Sequence, residues 1–208
     1  MTSAYTLTNI KLEQQNKLIL NIPQLTINSG QCVALLGENG AGKTSLINLL
    51  AFTIQAQHGS IHLFDQAVRS KLTPDQRRRI GLVHQQPYLL PGTVADNIRL
   101  ALKLQGVKQA HIPDLIRQAL KQVNLTALAD QAANTLSGGE LKRVAIARAI
   151  AYQPDILLLD EPFSHLDQRH IQQLEDSISH FAQQAGKTVI FSTHDRFQAQ
   201  ALANKTIN

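Results

Sequence analysis

The chain has 208 residues, of which 43% are hydrophobic and 4% are aromatic, with no tryptophan. This length suits one domain, and the hydrophobic content excludes global disorder and predicts a core of aliphatic side chains. The formal net charge is +5, but the local basic run Arg77-Arg78-Arg79 has no aromatic residues interleaved with it, so we predict no nucleic-acid partner.

The single cysteine, Cys32, cannot form an internal disulfide, and its apolar neighbours predict a buried strand residue. This fits a reducing compartment. The first residues, Met1 to Lys11, lack the charged start and apolar run of a secretory signal, and no stretch is apolar for long enough to cross a bilayer. Any function at a membrane would therefore depend on another protein.

Hydrophobic periodicity predicts strands that alternate with helices. The strands are short β-like runs between Tyr5 and Ile27, followed by Cys32–Leu36, Gly81–Val83, Ile156–Leu159 and Thr188–Phe191. The helices are Thr44–Phe52, Val94–Leu104, Ile112–Val123, Leu141–Ala151 and Ile171–Ala185, the last ended by Gly186. We expect the leucine stripe at 100–104 to be core. The alternation predicts an α/β fold with a largely parallel sheet, and a mainly helical region begins at Pro87.

A glycine-rich loop follows the predicted strand at Cys32–Leu36 and opens the next helix. Its sequence, Gly37-Glu38-Asn39-Gly40-Ala41-Gly42-Lys43-Thr44, fits the pattern G-x-x-x-x-G-K-[ST]. Glycines let successive backbone N–H groups point at phosphate oxygens, and the helix N-terminus adds a favourable dipole. We expect Lys43 to reach the outer phosphates and Thr44 to offer its hydroxyl to Mg²⁺. By itself the loop indicates only a nucleoside triphosphate.

Two adjacent carboxylates, Asp160 and Glu161, end the apolar run Ile156–Leu159. Ligands of parallel α/β sheets lie beyond the carboxyl ends of the strands, which places Asp160 near the phosphates as a candidate Mg²⁺ ligand. The two side chains diverge at a strand end, so Glu161 is predicted to orient and deprotonate an attacking water.

Further motifs make the chain resemble the ABC-type ATPases. Leu136-Ser137-Gly138-Gly139-Glu140 resembles their signature, usually written LSGGQ, with glutamate at the last position. Gln85 resembles the glutamine of the Q-loop, Ser164–Asp167 resembles the D-loop, and His194 resembles the switch histidine. These motifs fall in the family's order and cover essentially the whole chain.

The resemblance implies a P-loop NTPase fold over residues 1–208. A RecA-like core with an N-terminal antiparallel β subdomain would comprise residues 1–86 and 152–208, and a helical subdomain with the signature would comprise residues 87–151. Two copies would sit head to tail, with ATP between the phosphate loop of one and the signature of the other.

The resemblance also implies residue roles. Glu161, His194 and Gln85 would act in catalysis, and Thr44, Gln85 and Asp160 would hold Mg²⁺. His194 would contact the γ-phosphate and the attacking water, and Asp167 would couple the two sites. The nucleotide would be bound by Gly37, Glu38, Asn39, Gly40, Ala41, Gly42, Lys43, Thr44, Ser45, Ser137, Gly138, Gly139, Glu140 and Asp167.

The sequence departs from the family pattern in three places. Glu13 or Gln14 stands where the family has an aromatic residue that stacks on adenine, and Tyr5 lies too early to replace it. His165 stands in the D-loop where a small residue is usual. The chain ends soon after Asn204, so we expect no appended regulatory domain.

Two biological functions compete. The first is the ATP-hydrolysing subunit of a membrane transporter on the cytoplasmic face of the inner membrane, with permease subunits docked near residues 86–98 and a solute-binding protein in the complex. The second is a soluble ATPase of DNA repair or translation. Repair types need a long coiled coil before the signature, and translation types carry two ATPase domains, so the transporter is favoured. A GTPase switch is disfavoured because Asn204–Ile207 lacks an aspartate for guanine.

Substrate and direction are not encoded. The single-domain length and the segment Leu49–Phe52 are similar to ATPases of small bacterial oxyanion importers of the tungstate or molybdate kind, while export and lipoprotein-release systems stay open.

Overall fold

Alternating apolar runs and amphipathic stretches form two sheets and seven α-helices in the computed structural model, which describes residues 2–68 and 71–208. The strands are β1 (Ser3–Gln14), β2 (Lys17–Asn28), β3 (Cys32–Leu36), β4 (His58–Leu63), β5 (Gln66–Val68), β6 (Ile80–Val83), β7 (Ile156–Leu159), β8 (Thr188–Thr193) and β9 (Lys205–Ile207). The helices are α1 (Lys43–Leu50), α2 (Pro74–Arg78), α3 (Val94–Leu104), α4 (Ile112–Gln122), α5 (Gly138–Ile150), α6 (Gln168–Ala182) and α7 (Arg196–Leu202).

The first sheet is antiparallel, in the order β2-β1-β4-β5. β1 alternates buried apolar residues with exposed polar ones over much of its length, which is the pattern of a strand with one face on the core. Tyr5 on β1 is fully buried, and its hydroxyl donates to the Leu50 carbonyl at the end of α1 over 2.8 Å. The antiparallel sheet is thereby tied to the helix that follows the phosphate loop.

The second sheet is parallel, in the order β6-β7-β8-β3-β9. Each residue of β7 is buried, as expected for a strand covered on both faces. Because β6, β7, β8 and β3 are parallel neighbours, their carboxyl ends meet at one edge. The segments that follow these four strands carry Gln85, Asp160, Glu161, His194 and the phosphate loop.

Cys32 lies on β3 and is buried, as the sequence predicts, and burial raises the pKa of its thiol to about 12. Within the described ranges, the segment from 87 to 151 holds helices and 3-10 turns. Its helices α3, α4 and α5 pack on one another, and their buried side chains are continuous with the residues on one face of the parallel sheet.

The predicted helix bounds are matched at α3 and differ elsewhere. α1 ends at Leu50, before Phe52, which adopts a left-handed φ of 55°. α5 starts three residues before the predicted Leu141, at the signature glycines. α6 ends at Ala182 and not at the turn around Gly186. Helical periodicity detects the apolar face but not the hydrogen-bonded first and last turns.

The expectation that the leucine stripe at 100–104 is core was wrong at both ends. Leu102 is fully buried, but Leu100 is 39% and Leu104 is 78% exposed. They stand at spacing i, i+4 on α3, so the helix presents two leucines to solvent on the side away from the buried Leu102.

Candidate functional site

The phosphate loop is shaped by glycines at positions where a side chain would be strained or would collide. Gly40 and Gly42 have φ of 85° and 88°, which L-residues rarely adopt. A Cβ at Gly42 would lie 2.9 Å from a methyl carbon of Leu20, because β2 crosses directly over this end of the loop. The loop residues Glu38, Asn39, Gly40 and Ala41 are exposed to solvent.

Lys43 is the first residue of α1 and is 92% buried, with a relative exposure of 8%. Its Nζ donates to the carbonyls of Gly37 and Glu38 over 2.8 and 2.9 Å, and so lies across the mouth of the loop. The next two residues, Thr44 and Ser45, continue the first turn of α1. The N-terminus of an eight-residue helix and a buried ammonium group therefore face the same small space, which suits the charge of a polyphosphate.

Asp160 lies directly below this loop, as the sequence predicts. It is 4% exposed, and its Oδ1 accepts from the hydroxyl of Thr44 over 3.1 Å and from that of Ser192 over 2.8 Å. A carboxylate beside a hydroxyl is an oxygen donor set of the kind Mg²⁺ prefers. The residues present therefore fit a magnesium ion bound between α1 and the end of β7.

Glu161 points away from Asp160 and contacts a different set of groups. Its Oε1 lies 3.6 Å from Lys43 Nζ, and its Oε2 accepts from Gln85 Nε2 over 3.1 Å. Its backbone N–H donates to Ser192 Oγ over 2.8 Å, and its φ of 40° is left-handed. The structure thus brings together the predicted glutamate, the predicted Q-loop glutamine and the phosphate-loop lysine.

His194 follows β8 and is exposed. It lines a cavity of about 140 Å³ together with Glu161 and His165, and it also lines the open cleft beside Gly37, Glu38 and Asn39. His194 therefore borders both the cavity that Glu161 lines and the cleft at the phosphate loop.

The signature residues form the N-terminus of α5. Ser137 is the N-cap, and it forms a capping box with Glu140: the Glu140 N–H donates to Ser137 Oγ, and Glu140 Oε2 accepts from the Ser137 N–H over 2.8 Å. The backbone and hydroxyl donors of Ser137 hold the pKa of Glu140 below its usual range. This leaves the first backbone N–H groups of α5 directed outward at Gly138.

Gly139 is buried against a histidine of the next helix. A Cβ built on Gly139 would lie 2.2 Å from His170 Cδ2, so the imidazole occupies the space of the missing side chain. His170 Nδ1 lies 2.8 Å from Oδ1 of Asp167, the N-cap of α6. The His170 backbone N–H also donates to Asp167 over 2.9 Å, and these hydrogen bonds lower the pKa of Asp167.

The signature and the phosphate loop do not meet within one chain. Across residues 2–68 and 71–208, no hydrogen bond or ion pair joins Ser137–Glu140 or Asp167 to Gly37–Ser45. One chain therefore assembles the phosphate loop, Gln85, the two carboxylates and His194, and displays the signature elsewhere.

Sequence reasoning missed three residues near the site: Ser192, Lys142 and His170. Ser192 joins Asp160 to the backbone of Glu161. The sequence signal for Ser192 is a hydroxyl residue at the end of an apolar run. The structure shows this hydroxyl to be fully buried, and a buried hydroxyl needs hydrogen-bond partners. Lys142 and His170 carry no signal of their own, because their contacts join segments far apart in the chain.

Tyr5 cannot serve as an adenine-stacking aromatic, since it is buried and its hydroxyl is bonded to Leu50. Beside the phosphate loop, a cleft of about 370 Å³ runs from Gly42 along β2, and its lining among the described residues contains aliphatic and amide side chains.

The parallel sheet with a phosphate loop after β3 and paired carboxylates after β7 defines a nucleoside-triphosphate-binding α/β protein. Residues 20–164 match the model of the ABC transporter family, and the chain belongs to this family.

Several curated proteins are similar to the chain. It is 36% identical to the spermidine/putrescine import ATP-binding protein PotA of Haemophilus influenzae over 97% of its own length and 54% of the relative. It is 37% identical to the phosphate import ATP-binding protein PstB 2 of Natronomonas pharaonis over 91% of the chain and 70% of the relative. It is 38% identical to the sulfate/thiosulfate import ATP-binding protein CysA 1 of Agrobacterium fabrum over 90% of the chain and 55% of the relative. The chain thus spans about half the length of the first and third of these relatives.

Solved structures share the fold. CbiO1 of Clostridium perfringens, part of the ABC transporter complex cbiONQ, superposes with a TM-score of 0.85 at 25% identity over 94% of this chain and 80% of that one. An inward-facing conformation of a putative metal-chelate type ABC transporter gives a TM-score of 0.80 at 31% identity, over 99% of this chain and 79% of that one. The fold class predicted from the sequence is therefore confirmed. Among the described residues, no helix has the length and apolarity that crossing a bilayer requires.

Proposed function

We propose that this chain binds and hydrolyses ATP and thereby energises a membrane transporter. The observation that carries the proposal is the placement of Glu161: its carboxylate contacts both Lys43 and Gln85, beside the Asp160–Thr44 pair. Carboxylate, ammonium and amide groups converge here at the carboxyl edge of a parallel sheet, where such folds bind nucleotides.

In this proposal each group has one role. The N–H groups of Gly37–Ser45 and the ammonium of Lys43 hold the β- and γ-phosphates. Thr44, Asp160 and Gln85 hold Mg²⁺, which neutralises phosphate charge when bound. Glu161 orients the attacking water and accepts its proton, and His194 donates a hydrogen bond to the γ-phosphate. Ser192 fixes the backbone between the two carboxylates.

The remaining nucleotide contacts come from a second copy. Ser137–Glu140 form an exposed helix N-terminus that makes no hydrogen bond to the phosphate loop among the described residues of the same chain. A head-to-tail homodimer brings the signature of one copy onto the γ-phosphate held by the other, with Asp167 at the interface. Hydrolysis then depends on dimerisation.

The permease is proposed to dock near residues 86–98, at the start of the helical subdomain, which we assign to residues 87–151. Tyr88 is 70% and Leu90 is 42% exposed, while backbone atoms of both residues are hydrogen-bonded. The side chain of buried Asn97 bonds both the N–H and the carbonyl of Leu90, and Arg148 donates to the Tyr88 carbonyl over 2.8 Å. Exposed apolar side chains on a hydrogen-bonded backbone suit a partner helix.

Import of a small solute is the direction we favour, because the named relatives are import proteins for polyamines, phosphate and sulfate. Two of these solutes are oxyanions, which supports an oxyanion substrate. The full complex would contain permease subunits and a solute-binding protein, with this chain on the cytoplasmic side. Between α1 and α5 the described helices have at most 11 residues, which disfavours the coiled coil of a repair ATPase.

Glu161→Gln tests the proposal. It removes the proton acceptor and keeps the side-chain volume, so ATP should still bind while hydrolysis slows by roughly 10²- to 10⁴-fold. Phosphate release from the purified protein with Mg²⁺ and ATP measures the rate, and light scattering should show a trapped ATP-bound dimer. Asp130→Asn, in an exposed turn, is the control and should hydrolyse ATP at the wild-type rate. Wild-type turnover in Glu161→Gln would remove Glu161 from the mechanism.

A further inference from the structure

Lys142, on α5, reaches the loop that follows Glu161. Its Nζ donates to the carbonyls of Pro162 and Ser164 over 3.0 and 2.6 Å, and to Ser164 Oγ over 3.0 Å. An ammonium group has three donors, so all of them are satisfied by one short segment. This lysine thereby fastens the signature helix to the loop between Glu161 and Asp167.

The contact continues to Glu161 through Ser164. Ser164 Oγ donates to the Glu161 carbonyl over 3.0 Å, and the Ser164 backbone N–H lies 3.2 Å from the same oxygen. On its other side, the Glu161 backbone N–H is held by Ser192. The left-handed backbone of Glu161 is therefore fixed at both ends, and one of the two supports leads to Lys142.

The charge of Lys142 is also consistent with a link between this residue and Glu161. Lys142 is half-buried, and the loss of solvation lowers the pKa of its ammonium group, while the nearby Glu161 carboxylate opposes this shift. A lysine with only a solubilising function would extend into water. Here the charge is held by three oxygen acceptors beside the candidate catalytic carboxylate.

A second contact joins the same two segments. The His170 ring packs on Gly139 at the start of α5, while its Nδ1 contacts Asp167 at the start of α6. The N-terminus of α5 and the loop from Glu161 to Asp167 are thus fastened at two points, so that a displacement of one carries the other.

We propose that Lys142 is a positioning residue that makes the placement of Glu161 depend on the placement of the signature helix. The proposal rests on the proposed function. In the head-to-tail dimer the signature serves the nucleotide of the partner, whereas Glu161 serves the nucleotide of its own chain. Lys142 then connects the two sites of the dimer, and closure of one site aligns the glutamate of the other.

Lys142→Met tests this link, because it keeps the unbranched stem of the side chain up to the terminal amine and removes all three hydrogen bonds. We expect kcat to fall between about ten- and a hundred-fold, the scale of misplacing a reacting group by about 1 Å. The KM and the Kd for ATP should stay within about two-fold of wild type, since Lys142 contacts none of the phosphate-binding groups. The cooperative dependence of rate on ATP concentration should be lost, and Lys142→Arg should recover part of kcat.

Lys187→Met is the matched control. Lys187 Nζ also donates to two carbonyls, those of Gln153 and Pro154, but at the opposite end of β7. We expect this variant to lose stability and to keep the kcat and cooperativity of wild type. Equal kcat losses in Lys142→Met and Lys187→Met would overturn the proposal.

A double-substitution cycle protects the test against a general folding defect. Ser164→Ala breaks the same route from its other end, so the loss of kcat in the double variant should be smaller than the product of the two single losses. Additive losses, or wild-type kcat and cooperativity in Lys142→Met, would overturn the positioning role. Absence of ATP hydrolysis by the wild-type protein would instead reject the proposed function on which it rests.

Discussion

At the scale of single residues, the two signature glycines are not equivalent. A Cβ on Gly138 would have nothing within 4 Å, whereas a Cβ on Gly139 would overlap the ring of His170. Gly138 is therefore free of steric demands inside its own chain, and only a ligand or a partner would require its small size. Gly139 is required by packing within the chain as well.

The contrast gives a matched pair of substitutions. Gly139→Ala should lower the free energy of unfolding by roughly 1–3 kcal/mol, the usual cost of overpacking. Gly138→Ala should not destabilise the fold, since alanine favours the helix and meets no neighbour. Urea unfolding measures both. Adding His170→Ala to Gly139→Ala should restore stability, and a Gly139→Ala protein as stable as wild type would contradict the packing.

At the scale of elements, short local patterns identified most of what the sequence could predict. The strand–loop–helix around Gly37–Thr44 needs only neighbouring residues. The bounds of α3 follow from its apolar periodicity, and the structure adds a capping box at Thr93 and Asp96 at its start. The exposure of Leu100 and Leu104 on α3 could not be predicted, because periodicity marks an apolar side chain without saying what covers it.

The capping box at the start of α5 gives a prediction on pH. The pKa of Glu140 is lowered in the folded chain, so its contribution to stability is present above the unfolded pKa of about 4.3 and is lost as pH falls through the lower folded value. Glu140→Gln keeps an acceptor for the cap and has no charge to lose, as in the neutral box of Thr73 and Gln76 at α2.

The free energy of unfolding, measured in urea from neutral pH downward, should therefore fall more steeply below about pH 4.3 for wild type than for Glu140→Gln. If the free energy of unfolding fell equally with pH in both proteins, the ionised carboxylate of Glu140 would contribute no stability through the cap.

At the scale of the whole molecule, the strand order could not be deduced from the sequence. The order β6-β7-β8-β3-β9 places strands distant in the chain side by side, and it gathers Gln85, Asp160 and His194 around the phosphate loop. Motifs in a known family order predicted that these residues would converge. The fastening of the signature to the loop after Glu161 was not predictable, since it depends on the packing of α5 against residues more than twenty positions away.

Separation of the signature from the phosphate loop predicts a dimer that one side chain can block. Ser137 is exposed at the tip of α5, so Ser137→Arg introduces bulk where the γ-phosphate of the partner would lie. Light scattering with Mg²⁺ and ATP should find a monomer, while nucleotide binding to that monomer persists.

Ser137→Thr keeps the helix cap and should dimerise as wild type does. If Ser137→Arg formed the ATP-driven dimer normally, the signature would not face a second nucleotide.

The backbone at Glu161 opposes the conformational preference of the residue it carries. Glu161 adopts a left-handed φ of 40°, which costs a residue with a side chain roughly 1–3 kcal/mol and costs glycine far less. Stability alone would thus favour glycine at position 161. A glutamate held there against its conformational preference costs some stability, and it keeps a carboxylate where Lys43 and Gln85 contact it.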